Sequence, residues 1–227
     1  MNGRQAILNK IRDAVKIPSE IKSVNNNLDD AIKKGIASVT PKSKDELWAQ
    51  FKKELETING EFYSVTNISQ VVDIIAKLLT DSKFDRVGIS KEYICHDIAE
   101  RIQRKIQTLQ IISPEKLDYE KRKKEFAVTE AAIVNPVFAV ADIGSLVFLY
   151  DQTGTTYPHF LCDNTFVIIN QNQIVANQFD LFENLDQSKT KNMVFVTGPS
   201  RTADIEKVLV LGAHGPRKLA VIVYSEE

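Results

Sequence analysis

The segment from Val194 to Tyr224 constrains the fold of this chain more than any other. An apolar run, Val194-Phe195-Val196, leads into Gly198-Pro199-Ser200-Arg201-Thr202-Ala203-Asp204-Ile205-Glu206. Leu211-Gly212-Ala213-His214-Gly215-Pro216-Arg217 follows, and a second apolar run, Leu219 to Tyr224, closes the segment. Apolar run, glycine turn, short amphipathic stretch, glycine turn, apolar run is the pattern of a βαβ unit. It predicts a helix over 203–211, about 13 Å long at 1.5 Å per residue. Free N–H groups at the start of such a helix, beyond the carboxyl end of a strand, favour an anion. Gly198, Ser200, Arg201 and Thr202 are therefore candidate ligand-binding residues, with Arg201 suited to a small carboxylate or phosphate. Asp204 and Glu206 compete for the same helix start, so a structural turn in which Arg201 pairs with one of them is the alternative. Gly212 to Arg217 falls at the opposite end of that helix and reads as a structural or interface element.

Upstream, helical periodicity recurs in several windows. Ile7, Ile11 and Val15 make a first helical face, closed by Pro18. Residues 19–42 read as a linker with a short helix around Leu28 to Ile32. Leu47, Phe51, Leu55 and Ile58 mark a second helix, stopped by Asn59-Gly60. Residues 1–60 are thus expected as an N-terminal helical extension and 61–227 as an α/β domain. Within the latter, Phe62 to Val65, Arg86 to Ile89 and Leu109 to Ile112 read as strands. Helices follow Asn67, an N-cap candidate with Gln70 three residues on, and run through Ile94, Ile98, Ile102 and Ile106. Residues 115–125 read as a solvated helix. Val137 to Ala141 and Leu146 to Tyr150 are two apolar runs joined by Asp142-Ile143-Gly144-Ser145, a hairpin signal. Phe166 to Ile169 and Gln173 to Val175 suggest a further strand pair, and Phe179 to Leu185 a helix. The fold class expected is α/β, a mostly parallel twisted sheet flanked by helices.

Other chemistry is sparse. Asp142 ends an apolar run and is a weak candidate for a base or nucleophile, against the commoner Asp that bonds turn amides. Gly144 and Ser145 extend the candidate ligand surface. His159 and Cys162 share a polar loop, Asp151 to Asn164, whose simplest reading is a cover rather than a nucleophile–base pair. Cys95-His96-Asp97 looks like a metal cluster on paper, but helix neighbours point about 100° apart. The chain has two cysteines and no Cys-x-x-Cys, too few thiolates for an iron–sulfur cluster or a cysteine zinc site of its own. A net charge of −1 gives no reason to expect nucleic acid. The N-terminus carries no signal-peptide core and no run reaches membrane-spanning length, so cytoplasm and no membrane insertion are expected.

The pair Gly198 to Glu206 and Leu209 to Leu219 resembles the signature of the lactate utilization protein C family, the LUD-domain proteins. The likeness extends more loosely through Ala141-Asp142-Ile143-Gly144-Ser145. It implies a NagB/RpiA/CoA-transferase-like fold. It also implies a role beside an iron–sulfur protein and a second subunit, encoded in one operon, in oxidising L-lactate to pyruvate, with the clusters in the partner chains. Two departures stand out. Ile143 replaces the usual threonine of the turn, and Thr156 to Thr165 lacks the family's Arg and its Pro-Pro-x-His-like segment. An accessory or small-anion-binding subunit is the leading expectation. A stand-alone acyl or CoA transferase or sugar-phosphate isomerase, with Asp142 as its carboxylate, is one alternative. A structural interaction protein using the first two helices is the other. Homo-oligomerisation stays open.

Overall fold

A computed structural model describes residues 42–150, 156–185, 192–203, 209–211 and 215–225. The first expected helix and the linker with its short helix lie outside the described residues.

The described chain opens with α1 (Lys44–Thr57), started by a capping box. The Glu46 amide donates to Ser43 Oγ at 3.3 Å, and the Ser43 amide donates to the Glu46 carboxylate at 2.7 Å, so two helix-start amides are satisfied. The helix stops where Asn59 turns left-handed, φ 62°. The amide of Gly60 then donates back to the Leu55 carbonyl at 2.9 Å. Phe51 and Leu55 of α1 are fully buried. The helix expected to belong to an extension is therefore packed into the α/β body.

Next come β1 (Glu61–Val65), α2 (Ile68–Ser82), β2 (Arg86–Ile89), α3 (Tyr93–Lys105) and β3 (Gln110–Ile112). The N-cap of α2 is Asn67, which accepts from the Gln70 amide at 3.0 Å. Gln70 in turn accepts from the Thr66 amide at 2.9 Å, one residue before the position of an ordinary capping box. The solvated helix is α4 (Tyr119–Phe126), and β4 (Ala131–Val134) follows it. The hairpin is β5 (Phe138–Val140) and β6 (Ser145–Tyr150), antiparallel as expected. The polar loop folds at its end into a short helix, α5 (Tyr157–Phe160). The remaining elements are β7 (Asn164–Asn170), β8 (Ile174–Val175), α6 (Gln178–Asn184), β9 (Asn192–Val196), β10 (Arg201–Ala203), β11 (Leu209–Leu211) and β12 (Lys218–Tyr224).

Six strands form one parallel sheet in the order β1-β12-β7-β4-β2-β3. Its inner strands are apolar on both sides because both sides are covered. Phe166, Ile168, Ala220 and Ile222 face one layer, with α2 and α3. Val167, Ile169, Val221 and Val223 face the other. There a second sheet, β8-β5-β6-β9, contributes Leu146, Phe148 and Tyr150.

Three expectations are corrected. Phe166 to Ile169 and Gln173 to Val175 do not pair with each other, since β7 lies in the main sheet and β8 in the second. The run at 192–196 is not a buried parallel strand. None of its residues is buried and Phe195 is exposed, and it pairs antiparallel with β6 at the edge of the second sheet. Finally, no helix spans 203–211: residues 201–203 pair antiparallel with 209–211. Nine residues are too few to hold an isolated helix without strong packing, and consecutive Leu-Val-Leu favours an extended backbone.

Candidate functional site

The last strand of the second sheet and the last strand of the main sheet lie in different layers, so the chain between them must cross. The crossing is built from the two glycine-proline turns. Gly198 adopts φ 79° and is buried, and a Cβ there would come within 3.0 Å of the Ile58 carbonyl. Only glycine fits that approach without strain. The Ser200 amide donates to the Pro216 carbonyl at 2.8 Å. A Cβ on Gly215 would meet the Ser200 Cβ at 3.4 Å and the Phe160 ring at 3.9 Å. The two halves of the C-terminal motif, expected at opposite ends of a helix, are instead stapled together.

They enclose a cleft of about 470 Å³. It is lined by residues 195–200, by Gly215 and Pro216, by Phe160 at the end of α5, and by Thr57 and Ile58 at the end of α1. Gly198 and Ser200 therefore line a cavity as their turn chemistry suggested, but no helix begins there. The support that a helix dipole would lend to an anion is gone. Arg201 and Thr202 lie in β10, Arg201 opposite Leu211 and Thr202 opposite Val210.

The Asp142 to Ser145 turn reaches the cleft only indirectly. Gly144 has φ 61°, and a Cβ on it would lie 2.7 Å from the Leu55 amide nitrogen and 2.8 Å from the Glu54 carbonyl carbon. The turn packs against the backbone of α1. Ser145 is fully buried, and its hydroxyl shares a 2.6 Å hydrogen bond with the hydroxyl of Thr197 on the cleft wall. Asp142 is exposed, and its amide donates to the Ala176 carbonyl at 3.1 Å. Partial desolvation raises its carboxyl above the usual range, with Lys42 opposing. It does not belong to the described lining of the cleft.

The other polar clusters do not assemble. His159 is buried with its ring edge-on to Phe148 and Tyr150, centroids 4.4 and 5.3 Å away. Among the described residues neither of its nitrogens has a hydrogen-bond partner. Burial lowers its pKa to about 3. Burial also pushes the Cys162 thiol up to about 12. The His159 imidazole gives Cys162 no hydrogen bond, so the two do not form a nucleophile–base pair. In the Cys95-His96-Asp97 run, Cys95 turns inward to Ser90 Oγ at 3.3 Å, His96 meets Glu115 at 3.4 Å, and Asp97 pairs with Arg101 at 3.0 Å. Among the described residues no group of three such side chains is placed to hold a metal ion. Ile58, Phe160 and Thr197 are cleft residues that sequence reasoning missed. Only the three-dimensional packing of α1 and α5 brings the first two to residues 195–200.

Comparison with known proteins now bears on this architecture. The LUD domain family model matches residues 48–224, a span that includes most of α1 and both sheets. The chain belongs to the LUD domain family. A Lactate utilization protein C from Geobacillus thermodenitrificans is 34 % identical over 94 residues, 38 % of this chain and 39 % of that protein. One from Bacillus pumilus is 28 % identical over 115 residues, 47 % of this chain and 48 % of that protein. A third, from another Geobacillus strain, is 25 % identical over 203 residues, 81 % of this chain and 80 % of that protein. The first two matches thus span less than half the length of those relatives. A crystal structure of a DUF162 family protein from Deinococcus radiodurans superposes with TM-score 0.54 at 16 % identity, covering 81 % of this chain and 99 % of that one. That likeness supports the fold. Among the described residues no helix is long and apolar enough to cross a membrane.

Proposed function

We propose that this LUD-domain chain is an accessory, ligand-binding component of a lactate utilization system, acting beside chains that carry the electron-transfer centres. The observation that carries the reading is the cleft. Both halves of the motif that resembles the lactate utilization protein C signature meet in it, through Ser200 and Pro216. Proteins of that name are the relatives found by sequence. The cysteine inventory supports the division of labour. Cys95 and Cys162 are each buried in separate clusters, and an iron–sulfur cluster calls for about four thiolates. The partners in this reading are an iron–sulfur protein and a second subunit.

A transferase or isomerase working through Asp142 is less well supported, since that carboxylate stands outside the described cleft lining. Fold likeness alone does not license such chemistry. The test is biochemical. The full chain is co-expressed with its genomic neighbours, and lactate-dependent dye reduction is measured with and without it. Association together with reduced activity on omission is expected. Undiminished activity with no association would overturn the reading.

A further inference from the structure

We infer that the cleft takes a planar, uncharged heteroaromatic ring, of the nucleobase or flavin kind, rather than lactate itself. The inference rests on the ligand-binding reading above and adds the class of ligand. Size is the first argument. A three-carbon hydroxy acid has six heavy atoms and displaces at most ~180 Å³, counting each at the ~30 Å³ share of a liquid water. The cleft measures about 470 Å³, within the range of cavities that hold ligands of drug or cofactor size.

Charge is the second. None of the described side chains lining the cleft is ionisable. A carboxylate or phosphate pressed against these described side chains loses water and gains no counter-charge from them. The loop also lacks the helix start that makes backbone amides an anion site.

Shape is the third. Phe160 and Phe195 bring two aromatic rings to the lining, and Pro199 and Pro216 bring two proline rings. Phe195 is 37 % exposed, so part of its ring is open to solvent beside the cleft. Gly215 sits between Ser200 and Phe160 with no side chain to intrude. A lining of aromatic and proline rings with two glycines suits a flat ring. The Ser200 and Thr197 hydroxyls and nearby backbone groups suit the polar edge of a heterocycle. Stacking on an aromatic face tolerates any ring with a π-surface, so nucleobase and isoalloxazine share this chemistry.

Two uncharged probes distinguish the sources. The full chain is titrated with riboflavin, followed by fluorescence quenching, and with adenosine, followed by calorimetry; L-lactate and pyruvate serve as competitors. Saturable binding of at least one ring at or below ~1 mM is expected, with no displacement by lactate. Phe195→Ala should weaken it about tenfold or more, while Phe195→Trp retains it. Phe195 is partly exposed, so the melting temperature of each variant should stay near that of the parent and exclude misfolding.

Absence of saturable binding to both rings overturns the inference. So does an affinity indifferent to Phe195→Ala, or competition by lactate. The two readings fail separately: a chain needed for lactate oxidation that binds no ring defeats only this inference. One that binds a ring yet neither associates with nor affects lactate oxidation defeats only the functional reading.

Discussion

Lowering the pH from 7 to 5 should destabilise this protein through His159 in particular. The imidazole is 5 % exposed, edge-on to Phe148 and Tyr150, with no hydrogen bond from the described residues to either nitrogen. Burial is the sole cause of its depressed pKa, and no charged group on any neighbouring element contributes. Tyr150, whose own hydroxyl is pushed up by burial and by Glu92, and Cys162 are titratable groups packed in the same layer. Neither changes charge in the range considered. The unfolded chain protonates this histidine near its ordinary value of ~6.5, whereas the folded chain holds it neutral down to about 3.

Between those values the unfolded state binds a proton that the folded state refuses, so stability falls as pH falls. The full contribution is present above ~6.5, and about 1.4 kcal/mol is lost per pH unit below it. At pH 5 the loss is about 2 kcal/mol, and relaxation of the buried site would make it smaller. Carboxylates titrate in the same direction, so the measurement is a difference. Urea unfolding of the parent and of His159→Phe is compared at pH 7 and pH 5. Phenylalanine keeps a ring against Phe148 and Tyr150 without a titrating nitrogen. The stability of the variant relative to the parent should rise by about 1–2 kcal/mol at the lower pH. An unchanged difference between the two pH values would show that His159 is either solvated or partnered, and the reasoning would be refuted.

Four further outcomes follow from the packing around the cleft and from the buried thiols. Gly144→Ala puts a Cβ at φ 61° and 2.7 Å from a backbone nitrogen of α1, and should cost about 2–4 kcal/mol in denaturant melts. Gly215→Ala, whose nearest contact is 3.4 Å, should cost under about 1 kcal/mol. Ser145→Ala removes the hydroxyl that holds Thr197 and should cost about 1 kcal/mol, read by the same melts, while loosening the cleft wall. Cys95 and Cys162 both have thiols raised to about 12 by burial. At pH 8 both should resist a thiol reagent in the native protein and react fully in denaturant; fast native labelling of Cys162 would show that α5 opens.

The main sheet was legible because its strands are strong signals. Leu219 to Tyr224 and Phe166 to Ile169 are continuous apolar runs, as strands covered on both faces must be. The Asn67 cap and the Ile94 to Ile106 periodicity were equally local, and each helix formed where its own residues dictate. The failures came where the deciding contact is remote. Val194-Phe195-Val196 reads like β12, yet its partner is β6, some fifty residues earlier, and no local pattern records that. The stretch 201–211 carries polar and apolar residues in an order that suits a helix. Pairing of its ends decided otherwise. The cleft was half visible: glycine with proline marks turns that must approach other backbone, but not which backbone they approach.

That half-visibility has a physical cause, and it alters how the motif should be understood. A loop carrying ligand chemistry and a loop carrying structure looked like rival explanations of Gly198 to Arg217. The two sheets dissolve the rivalry. Since β9 ends in one layer and β12 begins in another, the intervening chain has to turn sharply twice. Gly198 supplies the backbone conformation that lets residues 197–200 pass the end of α1. The hydrogen bond from Ser200 to Pro216 then fixes the spacing of the two turns. A cavity is the space left between two layers when their connection is held open in this way. The residues that bridge the layers are therefore the same residues that wall the cleft, and a substitution that relaxes the bridge should also collapse the site.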